Sequence, residues 1–148
     1  VRSQIALFGF AFLVLFYWFR HKCGSTLRKY SRPERAEQVA AANHLRFPSI
    51  AETVDSMLPD EIHAADRTLV REYNVILCLL RYVSPGGKRR FTLAERLLMI
   101  DFAMLSRWYA LTRRRLPGQA RCTISERAQI LICLSSAISQ RAVSVLGI

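Results

Sequence analysis

Residues 5–19 read IALFGFAFLVLFYWF, a run without one charged side chain. As a helix it is apolar on every face, whereas a helix on the surface of a globular protein carries one apolar stripe. Its fifteen residues, at a rise of ~1.5 Å each, cover roughly 22 Å of a ~30 Å hydrocarbon layer. Adding Ser3 and Gln4 brings the run to the lower end of the usual spanning length, about 17 residues. Tyr17 and Trp18 stand at its end, where interfacial aromatics belong, and Arg20, His21 and Lys22 follow at once. Residues 1–22 are therefore read as a transmembrane anchor, with Tyr17, Trp18, Arg20 and Lys22 at the membrane interface. Only Arg2 precedes the run, while Arg28, Lys29, Arg32 and Arg35 extend the basic side beyond it. The positive-inside rule then places the C-terminal side in the cytoplasm, as a single-pass topology.

Two other readings fit the same stretch less well. A cleaved signal peptide carries its charge before the apolar run and a small-residue site after it, and this segment has the reverse. A buried core helix has a suitable length, but uniform apolarity counts against it. The chain starts with Val, which leaves open processing, an alternative start or a fragment of a longer protein.

The 148 residues suffice for one domain of ordinary size. A formal net charge of +11 and a pI near 10.4 favour anionic partners: acidic lipid, acidic protein surface or nucleic acid. The excess of Arg over Lys suits phosphate and carboxylate recognition, although GC-rich coding produces the same bias. Cys23, Cys78, Cys122 and Cys133 form no C-x-x-C pair and have no His at ligand spacing, so no zinc site is expected. Cytoplasmic placement implies free thiols. Cys78 and Cys133 lie in apolar stretches and read as core residues, and Cys23 reads as a juxtamembrane thiol.

Residues 23–48 read as a basic juxtamembrane connector with a short helix from Pro33 to Asn43, opened by Pro33 and followed by an interruption at Phe47-Pro48. Residues 49–148 read as a cytoplasmic helical domain. Three segments match a capping box: Ser49 to Glu52, Thr92 to Glu95 and Thr123 to Glu126. They predict helices over 49–58, 92–115 and 123–146. Pro59, Asp60 and Glu61 predict a fourth start, with an inward stripe of Ile62, Leu69, Tyr73, Ile76, Leu77, Leu80 and Val83. Stripes of Leu97, Ile100, Met104, Leu105, Trp108 and Leu111, and of Ile124, Ala128, Leu131, Leu134, Ile138 and Val145, are expected on the last two helices. Ser84-Pro85-Gly86-Gly87 and Leu116-Pro117-Gly118 are stops. Strand signals are absent. The fold class predicted is all-α: one N-terminal transmembrane helix followed by a small antiparallel helical bundle. The similarity of Thr92–Arg96 to Thr123–Arg127 is too short to establish a helical repeat.

No phosphate loop, dinucleotide-binding fingerprint, HExxH or GxSxG occurs. An enzyme is unsupported, and no cofactor is implied. Asp60, His63 and Asp66 share a helix face and resemble half of a metal site; an acidic first turn beside a histidine is the plainer explanation. Asp101, inside an apolar stretch, is the one candidate on a facing helix to complete such a site, and is otherwise expected to be buried beside an arginine or to cap a local network. Lys88, Arg89 and Arg90 precede one helix, and Arg113, Arg114 and Arg115 end it. These six are the candidate anion or partner contacts, the second trio also complementing the helix dipole.

The function expected is that of a membrane-anchored accessory or assembly subunit docking a larger complex through an acidic partner surface. A tether that reads acidic lipid is the first alternative. Nucleic acid is a less favoured ligand, because no recognition module or aromatic platform is evident. A fragment of a larger membrane enzyme or transporter is the second alternative.

Overall fold

A computed structural model of the chain describes residues 1–83 and 91–146. The described residues are helical, without strands: α1 (Arg2–Tyr30), α2 (Pro33–Asn43), α3 (Phe47–Thr53), a 3-10 turn (Val54–Ser56), α4 (Pro59–Tyr82), α5 (Leu93–Thr112) and α6 (Pro117–Leu146). Lys88, Arg89 and Arg90 lie outside the described residues.

The core is built around α6. This 30-residue helix packs against α1, α2, α3, the 3-10 turn, α4 and α5. From Arg127 to Ser136 it is buried on nearly every side, with only Gln129 exposed. Ile130, Leu131, Ile132, Cys133 and Leu134 are consecutive core residues, which one apolar stripe could not provide. Burial pushes the Cys133 thiol up to about 11, so it stays a protonated, inert core group.

The surrounding helices start and stop on local chemistry. Pro33 opens α2 with a φ suited to the first turn. Its end is a Schellman turn: His44 sits in the left-handed region at φ 55°, and the Leu45 amide donates to the Ala40 carbonyl at 2.8 Å. Pro59 opens α4, and the Leu58 amide donates to the Glu61 carboxylate at 3.2 Å. Ile62, Leu69, Ile76 and Leu80 are buried as the periodicity predicts, with Ala65 beside them, while Tyr73, Leu77 and Val83 are partly buried against the core. The Thr92 box is complete: the Glu95 amide donates to Thr92 Oγ1 at 3.2 Å, and the Thr92 amide donates to Glu95 Oε2 at 3.0 Å.

The other two boxes do not form. Ser49 lies inside α3, which begins at Phe47, with Pro48 in its first turn. Thr123 lies inside α6, which begins at Pro117, and its hydroxyl donates to the Ala120 carbonyl at 2.7 Å. Pro117 therefore starts a helix where a stop was expected, because proline suits a first helical turn as well as it ends a preceding one. The α5 stripe is also displaced. Leu98, Asp101, Phe102, Leu105, Tyr109 and Thr112 face inward, whereas Ile100, Trp108 and Leu111 are exposed. Cys78 is exposed rather than part of the core.

Helix α1 continues through Gly24 to Tyr30 without a break. Its second half docks on the domain through Phe19, Cys23 and Leu27. The Cys23 thiol is buried and reaches the Leu97 carbonyl at 3.8 Å. Residues 2–18 are exposed throughout. Among the described residues α1 is one helix long and apolar enough to cross a membrane.

Because α6 is enclosed, truncating it leaves a cavity that neighbours cannot fill. Leu131→Ala is expected to destabilise the protein by about 3 kcal/mol, read from urea unfolding followed by circular dichroism. A loss below about 1 kcal/mol is the range of an exposed site, and would contradict the central position of α6.

Candidate functional site

The sequence of contacts between α1 and α5 defines a groove. Cys23 meets Leu97, and Arg20 meets Asp101. Further along, Phe12, Leu13 and Phe16 line a common cleft of about 600 Å3 with Met104, Trp108 and Leu111. Residue numbers fall on α1 as they rise on α5, so the C-terminal end of α5 lies beside the apolar half of α1. Helix α6 closes the cleft with Gln119, Cys122, Thr123 and Glu126.

At the charged end of this groove Arg20 bridges Asp101 and Glu126. The two links differ in weight. Glu126 is 43% exposed in its side chain, so its share resembles that of a surface pair, about 0–1 kcal/mol. The Asp101 side chain is almost fully buried, and losing its arginine would leave an unpaired charge in the interior. Burial pushes the Asp101 carboxyl above the ordinary carboxylate range, and Arg20 draws it back part of the way. Arg20 thus belongs to the joint between α1 and the domain, while Tyr17 and Trp18 are exposed and Lys22 lies over the Trp18 ring at 5.8 Å.

A second ionic cluster lies inside the domain. Arg127 is fully buried and pairs with Asp66. It also donates to Ser106 Oγ at 3.0 Å and lies against the Phe102 and Tyr109 rings at 5.5 and 5.4 Å. Burial lowers the Arg127 pKa, and the Asp66 charge opposes that shift. A third pair, Arg141 with Glu95 at 2.6 and 2.7 Å, ties the late part of α6 to the start of α5. Glu72 faces inward from α4 and accepts the Arg46 amide at the start of α3. Sequence reading missed Glu72, Glu126, Arg127 and Arg141. Glu72 and Arg127 are buried charged residues in otherwise apolar helical faces, the same signal that singled out Asp101.

The Asp60, His63, Asp66 trio is divided among other tasks. Asp60 is exposed, Asp66 is engaged by Arg127, and His63 Nδ1 lies 3.5 Å from both Tyr109 Oη and an Arg113 nitrogen. No group of three or more His, Cys, Asp or Glu suited to a metal ion occurs among the described residues. Arg113, Arg114 and Arg115 are exposed at the end of α5. The arrangement holds buried charge in place and presents an apolar groove.

Arg20→Met is expected to cost about 3 kcal/mol at neutral pH. Asp101 then binds its proton more tightly in the folded than in the unfolded state. Stability of the variant is expected to fall as pH rises from the ordinary carboxylate value through the raised one, more steeply than in the parent. Adding Asp101→Asn should flatten that dependence, as read from unfolding midpoints between pH 4 and 8 (about the span such a shift covers); parallel pH profiles for parent and Arg20→Met would contradict the assignment. No known protein family, curated protein or solved structure matches this chain.

Proposed function

We propose that this protein is a membrane-anchored accessory or assembly subunit whose basic helical domain docks a larger membrane-associated protein complex. The observation that carries this reading is the uncovered half of α1. Residues 5–18 present apolar side chains on all sides, and among the described residues none of them is buried, although Phe12, Leu13 and Phe16 border the groove beside α5. In water such a surface is costly, at roughly 25 cal/mol per Å2 of apolar area, so an external apolar medium is the natural cover. The Arg20 bridge and the buried Cys23 join this anchor to the domain without a hinge, which suits a part that must hold an orientation.

The finer topology is a single crossing with α2–α6 on the cytoplasmic side. It rests on one arginine before the apolar run and on Arg20, Lys22, Arg28 and Lys29 after it. The partner is a protein with an acidic surface, matched to the excess positive charge. A tether to acidic lipid is favoured by one specific feature, the basic end of α5.

Extraction in mild detergent followed by native mass measurement tests the proposal. The expected result is a species larger than one 17.0 kDa chain in its micelle, reduced to that monomer by raised salt. A monomer at low salt with no associated protein would overturn the accessory role.

A further inference from the structure

The start of α5, the late part of α6 and the docked part of α1 do not close on one another. They leave a cavity of about 420 Å3. Small-molecule sites run from roughly 300 to 1,000 Å3. Thr92 and Gln140 are exposed and mark its mouth, while Leu98, Cys133 and Leu134 are buried and form its floor. Ala94 and Ala137 stand in its wall, where larger side chains would fill the space. Native interiors hold few voids larger than a water molecule, so a space of this size calls for an occupant. Thr26, its one residue on α1, stands eight residues past Trp18, roughly 12 Å along the helix. The cavity is therefore clear of the apolar run, whatever surrounds that run.

Arg141 and Glu95 border this cavity, their side chains only 14% and 9% exposed. Their pairing uses one side of the guanidinium. Both Glu95 oxygens accept from Nη2, at 2.6 and 2.7 Å, and the Thr92 amide donates to Oε2 as well. In the usual bidentate pair two nitrogens share a carboxylate. Here Nη1 is buried and has no hydrogen-bond partner. A buried donor without an acceptor is costly and uncommon in native structures. The Thr26 hydroxyl is turned to its own helix, donating to the Lys22 carbonyl at 2.9 Å. The charge of the site sets the class of acceptor that Nη1 can take. Glu95 and Arg141 cancel, and the other residues around the cavity are neutral, the Cys133 thiol staying protonated. An anion would meet the Glu95 carboxylate, and a cation would find that carboxylate already engaged. An uncharged acceptor meets neither obstacle.

We propose that this cavity binds a small uncharged organic molecule with an apolar body and a carbonyl-type acceptor, the acceptor on Arg141 Nη1 and the body against Leu98, Cys133 and Leu134. The site goes beyond the accessory role and does not rest on it. It gives the spare side of the Arg141 guanidinium a partner and fills the space between three helices. A mostly apolar lining with a few polar groups that fix orientation is the common make-up of such sites.

The full chain in detergent micelles is titrated with 4-fluoroacetophenone and with two compounds of similar outline. One is 4-fluoroethylbenzene, which lacks the acceptor, and the other is 4-fluorobenzoate, which is charged. Backbone amide resonances of residues 94–98 and 133–141 report binding at the cavity. The expected result is saturable shifts there with the ketone, and affinity weaker by about tenfold for the other two. Ala137→Trp fills the space and should abolish the shifts, which also separates binding from partition into detergent. Arg141→Lys keeps a positive charge opposite Glu95 but offers no second nitrogen. It should bind ketone and hydrocarbon alike, and that comparison stands even if Ala137→Trp does not fold. Shifts that no compound saturates would mean a cavity holding water only, and would overturn the proposal. Equal binding of ketone and hydrocarbon by the parent, or preference for the benzoate, would overturn it as well.

Discussion

Apolar surface has to be covered, and this chain contains two helices that are apolar around most of their circumference. One of them, α6, is covered by the rest of the protein. Helices α1 to α5 surround it, and its charged residues meet partners: Arg121 the Val54 and Asp55 carbonyls, Glu126 Arg20, Arg127 Asp66 and Arg141 Glu95. The other, the first half of α1, is left exposed by the described residues. The same composition thus leads to a core helix in one place and a projecting one in the other. The difference lies in the residues available to pack around each. That asymmetry supports the proposal that lipid covers the projecting helix, on which the proposed function is based.

The ionic groups determine which faces meet. Asp101 is an expensive residue to bury, and its cost is offset only if Arg20 arrives from α1. This fixes the angular position of α1 on α5 and, through Glu126, on α6. Arg127 does the same between α4 and α6, held by Asp66 and by the faces of Phe102 and Tyr109. Aliphatic contacts tolerate small rotations, whereas paired charges in the interior do not. The groove between α1 and α5 inherits its shape from these contacts, and with it the placement of Trp108 and Leu111 beside Phe12.

Much of this was legible from residue order. The bounds of α2, the start of α4 at Pro59, the Thr92 cap and the burial of Asp101 beside an arginine all follow from local chemistry, because each depends on residues within a few positions or on a single costly charge. The inward face of α5 did not follow. That helix offers two apolar stripes about one residue apart that share Leu105, the expected one of Leu97, Ile100, Met104, Trp108 and Leu111 and the observed one of Leu98, Phe102 and Tyr109. The choice between them is made by Arg20 and Arg127, which are distant in sequence. The Thr123 segment failed as a helix start because Pro117 opens the helix about two turns earlier, and its Glu126 is engaged by Arg20 instead of the cap amide. At the candidate site, the exposed trio Arg113–Arg115 was visible as a charge run. Its company with Trp108 and Leu111 was not, since those two were assigned to the core.

The central claim is that lipid covers the first half of α1. Its most direct test is a nitroxide placed at Phe8, through Phe8→Cys in a Cys78→Ser, Cys122→Ser background that leaves the two buried thiols untouched. In vesicles, collision with molecular oxygen and with a water-soluble nickel chelate is compared. The account predicts frequent oxygen collisions and few with nickel. Ready access of the nickel chelate to that position would contradict it.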